Sequence, residues 1–253
     1  MKIGFISDIH EDIHSLENAL RVLTIHNCDR IVCLGDIVGF TIPFYRYIET
    51  RNAEECIRMV KENCSSVVIG NHDLYAIKKI PFYSAGFNYG SNWYELDYDV
   101  RAKKSRNKIW LYEDNELTSK LGESAKEYLS KLNEIEVMEI DEKKFFLSHF
   151  CYPDFSGSSI HFPGEAFHLK KHFEFISTRD CKLSFSGHGH PEGALVVNDE
   201  KISSVGFGHH KLSDDFRWIV TPCVARTTRE NGVMIFDTAN FLIDVISLKE
   251  MHK

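Results

Sequence analysis

Aspartate, asparagine and histidine recur in this chain as short polar clusters, each directly behind an apolar stretch. The clusters are Ser7-Asp8-Ile9-His10, Gly35-Asp36, Gly70-Asn71-His72-Asp73, Ser148-His149 and Gly187-His188-Gly189-His190. Imidazole mixed with carboxylate suits Mn, Fe, Zn or Ni, whereas Ca and Mg favour all-oxygen shells. Two such ions, about 3.5–4 Å apart and sharing a carboxylate, could activate a common hydroxide and neutralise phosphoryl oxygens. Any one cluster is weak support for this. Asp8 alone reads as a strand-end cap, and His10 alone as a satisfied histidine.

The elements that would position these clusters can be read from hydrophobic period. β-branched runs over 2–7, 30–34 and 66–69 predict strands, and the spacing of Ile13, Leu16, Leu20 and Leu23 predicts a helix over 12–25. Further helices are expected over 54–62, 123–132 and 165–176. A hairpin is expected from 135–140 and 143–148, and short strands over 182–186, 193–197, 201–205, 216–220, 233–237 and 242–247. Strands alternating with helices, then a strand-rich second half, predict an α/β fold. Its form is a four-layer α/β/β/α sandwich of two mixed sheets flanked by helices. With no repeat or linker, 1–253 is expected to be a single domain, with a cap or insert at about 80–132 that opens rich in aromatics and glycine. Strand ends in such sheets form the ligand crevice, so the five clusters are expected to converge there.

Composition narrows the function classes. Of the 253 residues 43% are hydrophobic and 26% charged, ordinary for a folded protein. The net charge of −7 argues against general nucleic-acid binding, which calls for a basic face. It leaves a phosphate substrate open, since bound ions would supply positive charge. Seven cysteines without a CxxC pair suggest reduced thiols rather than a disulfide framework. The N-terminus turns polar at Ser7 before a signal-peptide core develops, and no apolar run reaches the ~18 residues of a membrane span. A cytoplasmic location without membrane attachment is expected, and the oligomeric state is left open.

In their order, Asp-x-His, Gly-Asp, Gly-Asn-His-Asp, Ser-His and Gly-His-x-His resemble the calcineurin-like metallophosphoesterase superfamily. The match spans residues 7–190 with specificity. Gly35 to Gly39 and 67–73 look most like the small bacterial branch of phosphodiesterases and dinucleotide-tetraphosphatase-like proteins. The resemblance implies a metal-dependent phosphoric ester hydrolase with two divalent ions, Mn favoured. Asp8, His10 and His190 would hold the first ion, Asn71, His149 and His188 the second, and Asp36 would bridge them. His72 would stand over the leaving-group oxygen, and with Asn71 would contact the substrate, a phosphodiester or phosphomonoester that could be a nucleotide. Two departures stand out. The protein phosphatases of the superfamily carry an Asp-Arg pair where this chain has Gly39 and Phe40, which favours diester cleavage. Glu11-Asp12 replaces the usual Gly-Asn and adds negative charge beside the first ion. The alternatives are a protein or small-molecule phosphatase of the same fold and a catalytically silent binding scaffold, although a scaffold could afford a broken ligand set and this set is whole.

Other residues get plainer readings. His14, His26 and His252 are expected to be ordinary surface or helix residues, His161, His168 and His172 solvent-exposed, and His209-His210 part of a solvated turn. The basic run 101–108 reads as a solvated helix face that could instead hold an anionic substrate. Tyr152 and Phe155 could line the pocket mouth or pack under a loop. Arg226 and Arg229 could reach phosphate if the tail folds back. Cys33 reads as a small buried hydrophobe.

Overall fold

A strand sandwiched between two layers needs apolar side chains on both faces. In β1 (Lys2–Ile6), Ile3 and Phe5 enter one buried cluster and Ile6 another, on the opposite face. The computed structural model describes residues 1–249, so His252 lies outside the described residues. After β1 come α1 (Ile13–Ile25), β2 (Arg30–Cys33), a short β3 (Phe40–Thr41), α2 (Ala53–Asn63), β4 (Ser66–Val67) and α3 (Asn71–Ala76). The middle holds α4 (Tyr98–Ser105), β5 (Glu116–Leu117), α5 (Glu123–Lys131), β6 (Ile135–Ile140), β7 (Lys143–Ser148) and α6 (Lys170–Ser177). The remainder is β8 (Leu183–Ser186), β9 (Ala194–Val197), β10 (Ile202–Val205), β11 (Gly208–Lys211), β12 (Trp218–Val220), β13 (Gly232–Asp237) and β14 (Leu242–Ser247).

Two six-stranded mixed sheets result, ordered β11-β14-β13-β1-β2-β4 and β10-β9-β12-β8-β7-β6. Their facing sides share one core, in which Ile3, Phe5, Val32 and Phe236 meet Phe145, Leu147, Leu183 and Phe185. The Phe5 and Phe185 rings stack across it with centroids 4.5 Å apart. Outside the first sheet, α1, α2 and α5 bury Leu16, Leu23, Ile57 and Leu129. Outside the second, Phe173 and Ile176 of α6 pack on Phe146, Trp218 and Val220. This is the four-layer α/β/β/α arrangement that the hydrophobic pattern predicts.

Three expectations need correction. His172 is fully buried, not exposed: its Nδ1 accepts from the Tyr152 backbone N–H at 3.1 Å and its Nε2 donates to Ser184 Oγ at 2.9 Å. His209 and His210 lie in edge strand β11, opposite Asp244 and Ile243 of β14. An edge strand can be polar on both faces, so it lacks the alternation that would have revealed it. The 101–108 run divides: Arg101 is buried and bonded to Glu113 and the Leu96 carbonyl, while Lys103 and Lys104 are exposed.

The segment between α3 and α5 is tied to the rest of the fold at several points. β5 pairs with β3, placing Glu116 opposite Thr41. Farther back, the Trp110 N–H donates to the Ser158 carbonyl and the Ile160 N–H to the Lys108 carbonyl, each at 3.0 Å. Tyr89, Trp93 and Ile109 give the segment a small core of its own.

Candidate metal centre

β1, β2 and β4 run parallel in register, with Ile6 opposite Cys33 and Cys33 opposite Val67, so their C-terminal ends are level. β7 and β8 do the same in the second sheet, with Leu147 opposite Phe185. Each polar cluster therefore leaves its sheet at the same rim. Backbone bonds lock the exits together: Ile9 and His10 N–H both donate to the Asp36 carbonyl (2.8 and 3.0 Å), and Gly187 N–H donates to the His149 carbonyl (3.0 Å). The turns are tight enough that Asp8, His10, Asp36, His188 and His190 all adopt positive φ, between 43° and 61°. Such conformations cost of order 1–3 kcal/mol each in non-glycine residues and cluster at functional sites. Gly70 makes room for the carboxylate at the centre, because a Cβ there would lie 2.1 Å from Asp36 Oδ1.

Two ligand sets flank Asp36. Ligand atoms of Asp8, His10 and His190 lie within 4.8 Å of one another, as do those of Asp36, His149 and His188. Asp36 Oδ2 is 3.0 Å from His149 Nε2 and 3.9 Å from His10 Nε2, so it sits between the two sets. His10 donates through Nδ1 to the Gly39 carbonyl (2.8 Å) and His149 through Nδ1 to the Leu34 carbonyl (2.7 Å). When neutral, each ring thus turns a lone pair on Nε2 toward the carboxylates. Asn71 Oδ1, His149 Nε2 and His188 Nε2 are buried without a hydrogen-bond partner. Orphaned acceptors of this kind, at one spot beside a carboxylate, fit a divalent cation. All seven predicted ligands are brought together.

The charge states divide. Against burial, the Asp36 and Asp8 carboxylates raise His149 to about 9, and Cys223 and Asp8 raise His190 well above its ordinary value, so a cation would have to displace a proton from each. His10 and His188 go the other way. Burial, reinforced by His72 for His10 and by His149 for His188, drives both imidazoles down to about 3, so both are neutral. Burial would raise the Asp36 carboxyl, but His149 and His72 hold it well below the usual carboxylate range. Asp8 is likewise held down against burial, chiefly by His190.

His72 shares the neighbourhood, and one of its ring nitrogens falls within reach of His10 and Asp36 ligand atoms. Its Nδ1, however, is bonded to Glu116 of β5, while its backbone N–H donates to Asp36 Oδ1 (2.9 Å). Burial opposes protonation of His72, but the Glu116 and Asp36 carboxylates raise it to about 9. Glu116 thus gives His72 a carboxylate partner. A Cβ on Gly39, at φ +96°, would lie 2.5 Å from His72 Cβ, so no side chain fits there. Tyr112 is a second unforeseen participant: its hydroxyl accepts from Asn71 Nδ2 (2.9 Å), which fixes the amide, and the unpartnered Asn71 Oδ1 and the His188 ring both border Gly157. Neither residue has a sequence signature, since both reach the site from an irregular segment about forty positions away.

The remaining predicted residues divide. Glu11 and Asp12 do not load charge onto the first ligand set. Arg51 pairs with Glu11 (3.1 Å), and Arg226 grips Asp12 through two 2.8 Å bonds. Arg226 is thereby committed to Asp12, whereas Arg229 lines the cavity and donates to the His190 carbonyl (2.9 Å). Phe155 is wholly buried and Tyr152 stacks on Phe175, so both pack under the loop rather than line the metal cavity. Cys33 is buried as expected.

Fold and site define a two-sheet α/β protein with a cluster of candidate Asp, Asn and His metal ligands at the joint rim of both sheets. The profile of the calcineurin-like phosphoesterase family matches residues 1–192, and the chain belongs to that family. It is 23% identical over 262 residues to the uncharacterized protein MJ0912 of Methanocaldococcus jannaschii, covering 98% of this chain and 87% of that one. A crystal structure of a metallophosphoesterase from Sphaerobacter thermophilus superposes with a TM-score of 0.66 at 22% identity, covering 98% of this chain and 87% of that one. The hypothetical protein PH1004 from Pyrococcus horikoshii OT3 gives 0.58 at 15% identity, with coverages of 99% and 91%. These structural likenesses speak for the fold.

Proposed function

We propose that this protein is a phosphoester hydrolase that works with two divalent metal ions, Mn²⁺ favoured, and prefers diesters to monoesters. The observation that carries the reading is Asp36 Oδ2 lying between His10 and His149, with a full ligand set on either side. Asp8, His10 and His190 would hold one ion, Asn71, His149 and His188 the other, with Asp36 shared. When bound, the pair would lower the pKa of a water to make a nucleophile and neutralise phosphoryl charge.

The chain's own residues supply the rest. Tyr112 holds the Asn71 carbonyl oxygen toward its ion. Glu116 holds His72 and favours its protonated form, so the imidazolium can donate to the departing alkoxide, where charge appears only in the transition state. The substrate would enter a cavity of about 610 Å³ walled by Thr41, Phe44, Trp110, Phe162 and Arg229. The residues 80–132 form a cap over this site in that reading, attached to a single domain. A phosphoester, nucleotides included, is the partner expected.

Seven free cysteines and the lack, among the described residues, of any helix long and apolar enough to cross a membrane support a cytoplasmic setting. Hydrolysis of bis(nitrophenyl) phosphate and nitrophenyl phosphate with added Mn²⁺ tests the reading. Turnover is expected with both, faster for the diester. No turnover of either with Mn²⁺, Ni²⁺, Fe²⁺ or Zn²⁺ would sink it.

A further inference from the structure

A second, larger cleft of about 1170 Å³ lies behind one wall of the metal cavity. The wall includes a cluster of three rings. Phe162 lines both spaces and stacks on His188 with centroids 5.0 Å apart and planes 14° apart, and Phe150, which lines the cleft, packs against both rings, 4.5 Å from His188 and 5.0 Å from Phe162. Phe162 is 48% exposed and is a border that the two spaces share.

The cleft's chemistry differs from that of the chain as a whole, which carries a net charge of −7. Exposed Lys104, Lys108 and His161 line it. The one acid among the lining residues, Asp154, is buried, and its carboxylate is taken up by the Gly157, Ser158 and Ser159 backbone N–H groups and by Ser156 Oγ. Neither Lys104 nor Lys108 is paired with that carboxylate. Ser159, another lining residue, is 5% exposed, and its buried Oγ has no hydrogen-bond partner. A hydroxyl with spare donor capacity in a cleft that also carries two ammonium groups suits a multi-oxygen anion.

We propose that this cleft binds a second phosphate of the substrate, carried on the part of the molecule that extends past Phe162 from the scissile ester. The inference rests on the phosphoesterase reading and adds a substrate class to it: phosphoesters bearing a further phosphate group. Lys104 and Lys108 supply the charge, Ser159 Oγ a directional hydrogen bond, and Phe162 the surface over which the connecting portion passes. Nothing in the cleft performs chemistry, and its role is to bind and to select.

The test compares the native chain with a Lys104→Ala/Lys108→Ala variant, both full-length and matched in melting temperature. Calorimetric titration with adenosine 3′,5′-bisphosphate in EDTA, which keeps phosphate off the metal ligands, reads the cleft alone. The native protein is expected to bind, weakening as salt is added, and the variant to bind about tenfold or more weakly, as loss of two charge-assisted contacts implies. On the Mn²⁺-loaded enzyme, the ratio of kcat/KM for the nitrophenyl ester of thymidine 3′,5′-bisphosphate to that for bis(nitrophenyl) phosphate should fall by a similar factor in the variant. An unchanged ratio, no binding by the native chain, or equal binding by both proteins would each overturn the proposal. A protein that binds the bisphosphate through these lysines yet hydrolyses no phosphoester with any metal would instead refute the phosphoesterase reading and leave the anion cleft standing.

Discussion

The floor of the metal cavity and its outer wall are built in opposite ways. The floor comes from five strand ends, each contributing one or two residues within a few positions of an apolar run, and its groups are held by backbone bonds between the exits. The wall comes from residues 110–116 of a segment with little regular structure, held to the sheets by the short β3–β5 pairing and the Trp110–Ser158 bond. Floor residues converge on a place for cations. The wall's Glu116 and Tyr112 touch no cation position themselves and act on His72 and Asn71. Assembly and rate should therefore separate by mutation.

The largest effect expected at that boundary is His72→Asn. It should keep the metals and lose on the order of 10²–10⁴ in kcat on alkyl phosphoesters. The loss should be smaller for nitrophenyl esters, whose leaving group needs little protonation. Recovery of most of the rate with excess Mn²⁺ would assign His72 to metal positioning instead. Next comes Glu116→Gln, which keeps shape and removes charge. A loss of about 10–100-fold, with metal content intact and the same leaving-group dependence as His72→Asn, is expected. Metal loss in this variant would erase the distinction between wall and floor.

Tyr112→Phe should have a gentler and different signature. Freed from the hydroxyl, the Asn71 amide can rotate, and affinity for one ion should fall about tenfold with kcat restored at saturating metal. Equal affinities in metal titrations of the two proteins would remove Tyr112 from the site.

His172 provides a contrast outside both regions. Burial and, secondarily, Arg217 lower it from 6.5 to about 3. Because the folded value lies below the unfolded one, its contribution to stability is full above pH 6.5 and is lost as the pH falls toward 3. The cost is of order 2–4 kcal/mol by about pH 4. His172→Gln should flatten part of the acid limb of the melting curve with chelator present and leave metal binding unchanged. An unaltered limb would contradict it.

This contrast also decides what could be read in advance. Floor ligands are legible because a strand end couples an apolar run to a polar residue over adjacent positions, and Asp8, Asp36 and His149 all obey that local rule. Order along the chain then supplies the rest. Glu116 obeys no such rule: it pairs with a histidine 44 positions earlier through a two-residue strand too short to leave a periodic signal. His172 misleads for a related reason. A histidine on a helix has no sequence mark that distinguishes a solvated ring from one whose two nitrogens are satisfied across a helix–sheet interface. The fold was more legible than the site's wall because its layers rest on long alternating or helical runs, such as 135–148 and 12–25. The edge strand at His209-His210 and the short β3 and β5 carry no such runs.

The central claim is that one carboxylate, Asp36, is shared by two cation positions. Elemental analysis of Mn²⁺-loaded native protein and of Asp36→Ala, after removal of free metal, tests it most directly. The account predicts two ions per native chain and loss of both in the variant, since each set is left without the charge that joins it to the other. A variant that keeps one tightly bound ion, or a native protein that never holds more than one, would contradict it.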